Sequence, residues 1–138
     1  MRKGAKEMVD RWTFRGKARD TGEWIVGDLQ QVGHKVFIDD DRVRARVYPE
    51  TVGQCTGYKD CGWKPVFEGD VCKFEIGIEK LIGKIVYNPK ACAFEMRNNV
   101  VVGAYGEEAT HTRLLCHCDK IDVIGNIHDS PGLPPKED

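Results

Sequence analysis

Residues 72–78 read Cys-Lys-Phe-Glu-Ile-Gly-Ile, an alternation of apolar residues with charged residues or glycine. Successive side chains of a β-strand point to opposite faces, so this period of two predicts a strand with one buried face from Cys72 to Ile78. Residues 43–48, Val-Arg-Ala-Arg-Val-Tyr, repeat the alternation and place Arg44 and Arg46 together, opposite the small apolar residues. Both stretches indicate a fold built from half-buried strands.

Turns recur at short spacing along the chain. Asn-Pro at 88–89, between the apolar runs 85–87 and 93–96, predicts a hairpin. The fifteen glycines are spread throughout, and because each Gly inside a helix costs about 1 kcal/mol relative to Ala, they disfavour long helices. Short helices are predicted only for 5–11 and about 107–117, where acidic residues precede a basic one. Many short strands with frequent turns indicate a small barrel or sandwich.

The organisation that we predict is all-β, with mostly short antiparallel strands and minor helix. A single domain over 12–128 would contain a small SH3-like or related barrel, mainly 66–127, with residues 12–58 packed on it as further strands. The termini, 1–11 and 130–138, are expected to be flexible. The length of 138 residues fits one domain, and the 41% apolar and 31% charged residues fit a soluble core rather than a disordered chain.

No segment of the sequence predicts membrane insertion or export. The apolar runs are only a few residues long, whereas a helix that spans a bilayer needs about 20 apolar residues. The basic start at 1–3 lacks the apolar segment that follows it in a secretory signal. We therefore expect a cytoplasmic protein with no membrane partner.

The charge balance limits the partners to consider. A net charge of −1 counts against strong non-specific nucleic-acid binding, which usually needs a basic excess. A local basic face is still predicted on strands, near the aromatic residues Trp12 and Phe14, and it consists of Arg15, Lys17, Arg44 and Arg46. Such a face can stack bases on rings and follow phosphates with cations, so a nucleic-acid-binding module is one alternative. The near-zero charge favours the other interpretation, with aromatic residues in the core and arginines facing solvent.

Six cysteines raise the question of a metal site. In a strand, Cys116 and Cys118 point to the same side, and Cys55 and Cys61 in a turn-rich segment are able to complete a tetrahedral zinc site. Neither pair has the common Cys-x2-Cys spacing, and without an export signal unbound thiols are favoured. A zinc-stabilised domain is therefore a further alternative, and no cofactor is expected.

Short segments in a fixed order carry a family resemblance. They are Phe-Arg-Gly-Lys (14–17), Gly-Glu-Trp-Ile-Val-Gly-Asp-Leu (22–29), Pro-Glu-Thr-Val-Gly-Gln-Cys-Thr-Gly (49–57), Val-Phe-Glu-Gly-Asp-Val (66–71), Gly-Lys-Ile-Val-Tyr (83–87) and Val-Ile-Gly-Asn-Ile-His-Asp-Ser-Pro (123–131). In this order they resemble the YopX family of bacteriophage and prophage proteins, over most of residues 12–131. The resemblance implies a β-rich fold, a phage or prophage origin and a tendency to self-associate. It implies no established catalytic activity.

The sequence departs from the family at 59–65, where the family typically has an Asn-Gly turn. Here the residues are Lys-Asp-Cys-Gly-Trp-Lys-Pro. Gly62 is predicted at the first central position of a type II′ turn, which requires a positive φ. Pro65 has no N–H to donate and is predicted at a strand start or a sheet edge.

The leading expectation is an uncharacterised phage- or prophage-encoded accessory protein of the bacterial cytoplasm that is not an enzyme. The sequence contains no Walker A loop and no Gly-x-Ser-x-Gly elbow. The protein would act through self-assembly, in which another copy covers an exposed strand edge, and through binding of a phage or host macromolecule.

Overall fold

The computed structural model describes residues 10–102, 107–115, 118 and 120–129. Within these residues the protein is nearly all β, with antiparallel sheets and little helix. The all-β prediction is confirmed. The chain divides into two compact units, Met1–Tyr58 and Lys59–Asp138.

The N-terminal unit is a sheet of short strands in the order β4-β3-β2-β1-β5. The strands are β1 Phe14–Lys17, β2 Trp24–Val32, β3 Lys35–Asp39, β4 Arg44–Val47 and β5 Gly53–Lys59, with the 3-10 turn at Pro49–Thr51. The alternation predicted over 43–48 is confirmed for exposed Arg44 and Arg46 and for fully buried Val47. Val43 precedes the strand and is exposed, so its predicted burial is wrong.

Two glycines allow the N-terminal sheet to curl. β2 pairs with β1 through its first half and with β3 through its second half, and Gly27 lies where the partner changes. A Cβ at Gly27 would collide with the carbonyl oxygen of Asp39. A single bridge joins Ala18 to Val47 and brings the ends of β1 and β4 together. A Cβ at Gly16 would lie only 3.1 Å from Val47, so the small residue permits this approach.

The C-terminal unit contains a five-stranded sheet in the order β10-β9-β8-β7-β11. The strands of this sheet are β7 Asp70–Ile76, β8 Glu79–Asn88, β9 Ala93–Val102, β10 Glu107–Leu114 and β11 Lys120–Asn126, and the unit also contains the short strand β6 Pro65–Phe67 outside it. The hairpin predicted around 88–89 is confirmed, since Ile85 of β8 pairs with Met96 of β9. Both residues belong to the unit's core, which consists of Val66, Cys72, Phe74, Ile85, Met96, Leu115 and Ile121.

The structure corrects three predictions in this unit. The barrel predicted over 66–127 is not closed within the described residues, because β11 pairs with β7 and not with β10, so both are sheet edges. The SH3-like detail stays a prediction. The helix predicted over 107–117 is wrong, since Glu107–Leu114 pairs with β9 as a strand. Ile78, predicted to be buried, is 99% exposed, because Gly77, with a φ of +64°, turns the chain directly after β7.

Other predictions about the chain remain open. The flexible termini fall mainly on residues 1–9 and 130–138, which lie outside the described residues. The single domain over 12–128 also stays a prediction. In the described ranges, no helix has the length and apolar character needed to cross a membrane.

Candidate functional site

A pair of cations on β1 forms the first half of the candidate site. Lys17 lies directly opposite Trp24 of β2, and Arg15 lies opposite Val26. Directly opposed residues share a face of a sheet. The Arg15 guanidinium carbon is 4.7 Å from the centroid of the Trp24 ring, and the Lys17 Nζ is 5.5 Å from it. Both cations therefore contact the same indole ring.

The second half of the site lies on β3 and β4. Arg46 stands opposite Phe37, and Arg44 stands opposite Asp39. The Arg44 guanidinium carbon is 4.1 Å from the centroid of the Phe37 ring. Asp39 is in turn opposite Asp28 of β2, so a pair of carboxylates lies between the cations of β4 and those of β1.

Both halves lie on one face of the N-terminal sheet. Trp24 and Asp28 are an even number of positions apart on β2, and side chains two positions apart share a face of a strand. We call this surface the basic-aromatic face, and it consists of Arg15, Lys17, Trp24, Phe37, Arg44 and Arg46. The structure thus places all four basic residues predicted from the sequence on one face of the sheet. A guanidinium stacked on a ring keeps N–H donors at its edge, so this face is suited to anionic and planar groups.

The aromatic residues of the face differ from those chosen in the sequence. Trp12 precedes β1 and is 70% exposed, and Phe14 occupies a position of β1 that alternates with those of the cations. The rings that contact the predicted cations are Trp24 and Phe37. Strand register was the missing information, since Trp24 becomes a neighbour of Lys17 only through the pairing of β1 with β2.

The predicted zinc ligands occupy different surroundings. Cys55 is buried in β5, Cys61 is exposed, and Cys118 is half-buried against the core of the C-terminal unit. Cys116 lies outside the described residues. Among the residues that the structure describes, no group of three or more His, Cys, Asp or Glu side chains is arranged to hold a metal ion. The four-cysteine site requires Cys116 and stays a prediction.

The buried carboxylate of Asp60 organises the turn within residues 59–65, a role that the sequence did not reveal. Its Oδ1 accepts the backbone N–H groups of Gly62 at 2.9 Å and Lys64 at 2.8 Å, and its Oδ2 accepts that of Val123 in β11 at 3.2 Å. Burial alone raises the pKa of Asp60, but these hydrogen bonds and the charge of Lys64 hold the pKa below its ordinary value. The ionised carboxylate therefore fastens the turn to β11.

The Asp60 turn presents Trp63 to solvent. This side chain is 78% exposed, and its φ of +65° lies in the left-handed region that large residues seldom adopt. The prediction of a positive φ at Gly62 is wrong, since the residue of this turn with a positive φ is Trp63 and not Gly62. The Trp63 N–H donates to the Asp60 carbonyl at 2.9 Å, and the Gly62 N–H donates to the Asp60 carboxylate. Pro65 begins β6, which confirms the predicted strand start.

A second buried acid, Glu95 in β9, is also held ionised. It accepts hydrogen bonds from Asn88 Nδ2 at 2.9 Å and from Arg97 Nη2 at 2.9 Å. Burial raises the pKa of Glu95, but these two hydrogen bonds and the charge of Arg97 bring the pKa below its ordinary value. A general acid needs a raised pKa to carry a proton at neutral pH. Neither Asp60 nor Glu95 has that character.

Comparison with known proteins identifies one family. The family model described as YopX protein matches residues 2–133, which include every residue of the basic-aromatic face. No curated protein matches the chain significantly.

Proposed function

The chain belongs to the YopX family, and we propose that it is a phage- or prophage-encoded accessory protein of the bacterial cytoplasm that is not an enzyme. It acts through self-assembly and through binding of a phage or host macromolecule. The observation that carries the binding role is the basic-aromatic face, where four cations and two rings share one side of a small sheet. The phage association of the family supports the origin.

Self-assembly is supported by the open sheet of the C-terminal unit, which ends in β10 and β11. Edge strands carry unpaired N–H and C=O groups that another chain is able to pair with. Sedimentation velocity over a concentration series tests this part of the proposal. We expect the average mass to rise with concentration, and a monomer at every concentration would contradict self-assembly.

The second candidate function is binding of single-stranded nucleic acid, with the basic-aromatic face as the interface. Cations next to aromatic rings are the elements that such proteins use to follow phosphates and to stack bases, and Trp24 and Phe37 are half-buried rings of this kind. The pair of acids at Asp28 and Asp39 lies between the two halves of the face. We therefore expect the backbone to follow the two cationic halves and to avoid the acidic pair, which limits affinity and makes it sensitive to salt.

Fluorescence anisotropy with a labelled single-stranded oligonucleotide, measured at several salt concentrations, tests this candidate. Removing two phosphate contacts in the double variant Arg44→Ala/Arg46→Ala should reduce the slope of log K against log salt by about 1.4, since each contact to a single strand contributes about 0.7. The matched control is Lys80→Ala/Lys90→Ala, which removes the same charge from exposed positions of the C-terminal unit. Binding that is absent or insensitive to salt would eliminate nucleic acid as the ligand. Binding that is equally weakened in both double variants would eliminate the basic-aromatic face as the interface.

A protein partner at the same face gives a different result. Wild-type protein and the Arg44→Ala/Arg46→Ala variant serve as baits in extracts of induced host cells, with and without nuclease. A partner that survives nuclease and is lost with the variant bait would identify a protein ligand of this face. Equal capture by both baits would refute binding through the basic-aromatic face.

A further inference from the structure

β10 is the sheet edge in the C-terminal unit that is best suited to accept another strand. Its eight residues pair with β9 in a continuous register, from Glu107 opposite Val102 to Leu114 opposite Glu95. At the other edge, the ladder of β11 is interrupted by a register shift between Val123 and Gly125. Bulges of this kind protect an edge from further pairing. In the described part of the unit, β10 is therefore the long edge without such an interruption.

A second copy of the same chain is the occupant that the sequence of β10 favours. Directly opposed residues of two antiparallel strands share a face of the sheet. When the two strands are identical and related by a two-fold axis, each pair must therefore consist of residues whose numbers differ by an even number, and the pairing is centred on one residue. In the register centred on Thr110, Glu107 of each copy stands opposite Arg113 of the other. The same register pairs Thr110 with Thr110. Opposite charges and paired threonines are both favourable combinations across antiparallel strands.

Neighbouring registers lack this complementarity. Centring the pair on His111 places Ala109 opposite Arg113 and His111 opposite His111. Centring it on Ala109 leaves five pairs among the described residues of β10, and Arg113 is then opposite none of them. Charge complementarity therefore selects the register centred on Thr110.

We propose that two copies of this chain associate through antiparallel pairing of their β10 strands in the register centred on Thr110. The two sheets join into one sheet of ten strands, and two Glu107–Arg113 pairs form across the interface. This inference rests on the proposed self-assembly and names the surface that carries it. One pair of strands is a small interface, so the dimer is weak, with a Kd on the order of 10 µM.

Charge exchange tests the register directly. Glu107→Arg and Arg113→Glu each replace both interfacial ion pairs by like charges, and the double variant Glu107→Arg/Arg113→Glu restores them in reverse. Sedimentation velocity between about 1 and 500 µM spans weak association. We expect each single variant to raise Kd about tenfold or more, and the double variant to return to within about threefold of the wild type.

Glu108→Arg is the matched control, since it makes the same change of charge one position away, opposite Thr112 in the proposed register. It should change Kd less than about threefold. Far-ultraviolet circular dichroism verifies that each variant is folded. Should a single variant fail to fold, amide hydrogen exchange of the wild type replaces it, with β10 expected to gain protection between low and high concentration and β11 to remain unchanged.

The outcomes separate the inference from the proposal on which it rests. A wild type that remains monomeric to about 500 µM overturns self-assembly and this interface together. If the wild type associates with the same Kd as both single variants, only the β10 interface is overturned. Amide hydrogen exchange of β10 that does not change at high concentration has the same consequence. Dissociation by Glu108→Arg, or failure of the double variant to restore association, overturns the proposed register.

Discussion

Replacing Asp60 with Asn tests whether one buried carboxylate holds the 60–64 turn on β11. Asn has nearly the same shape, but it is neutral and its Nδ2 is a hydrogen-bond donor. One carboxylate oxygen thus becomes an N–H group. Either the N–H of Val123 or the two N–H groups of Gly62 and Lys64 must then face a donor.

The expected loss follows from the three hydrogen bonds. A bond to a charged group contributes about 1.5–3 kcal/mol and a neutral one about 0.5–1.5 kcal/mol, so three bonds weakened by about 1 kcal/mol each lower the free energy of unfolding by about 3 kcal/mol. The pKa of Asp60 is lower in the folded protein than in the unfolded chain. Its stabilisation is therefore complete above the unfolded pKa, near 4, and is lost as the pH falls through the folded pKa.

Urea unfolding of the wild type and Asp60→Asn, followed by circular dichroism at about pH 7, 5 and 2.5, measures both effects across this range. The difference in free energy of unfolding should be largest at the two higher values and should shrink at the lowest. Asp20→Asn is the control, because Asp20 is exposed. A difference below about 0.5 kcal/mol at neutral pH, or one that does not shrink on acidification, would refute this account of the turn.

Three further changes test the fold by the same unfolding measurement. Gly27→Ala should prevent folding or lower the free energy of unfolding by at least about 3 kcal/mol, because the new Cβ would collide with backbone. Gly33→Ala, at a φ of +63° in open space, should lower it by only about 1 kcal/mol. Equal losses in the two variants would contradict the explanation of the sheet's curl. Trp63→Asn should raise stability by about 0.5–1 kcal/mol, since Asn tolerates a left-handed backbone, and Trp63→Val should lower it; the opposite order would exclude strain at this position. Glu95→Gln should cost about 1–2 kcal/mol at neutral pH and less near pH 3, because the pKa of Glu95 is lowered in the folded state; a cost independent of pH would contradict its ionisation.

Local alternation was sufficient to predict the strands that bury one face. Cys72 and Phe74 are buried in β7, and Arg44 and Arg46 share the exposed face of β4, as their spacing indicates. These properties depend only on neighbours in the chain. The faces of the candidate site's cations were predictable for the same reason.

Pairing between strands was not predictable from the spacing. Trp24 joins the candidate site only because the register of β1 with β2 places it opposite Lys17. In β10, the acid-before-base order from Glu107 to Arg113 favoured a helix, yet the same segment contains the β-branched residues Thr110 and Thr112, which suit strands. Pairing with β9 decides between helix and strand for this segment. The sequence of a short segment does not show which strand it pairs with.

The two proposed surfaces also bear on the near-zero net charge, which argued against binding an anionic polymer. The basic-aromatic face belongs to the N-terminal unit, whereas β10 belongs to the C-terminal unit, so a dimer through β10 carries two such faces. A polymer that reaches both gains from effective concentration, which increases avidity without any increase in the charge of each chain. In that case the arrangement of the cations on each face and the number of copies in the assembly, rather than the net charge of the chain, determine whether a long anionic polymer binds. The Arg113→Glu variant should then lose affinity for long nucleic-acid strands and keep its affinity for short ones.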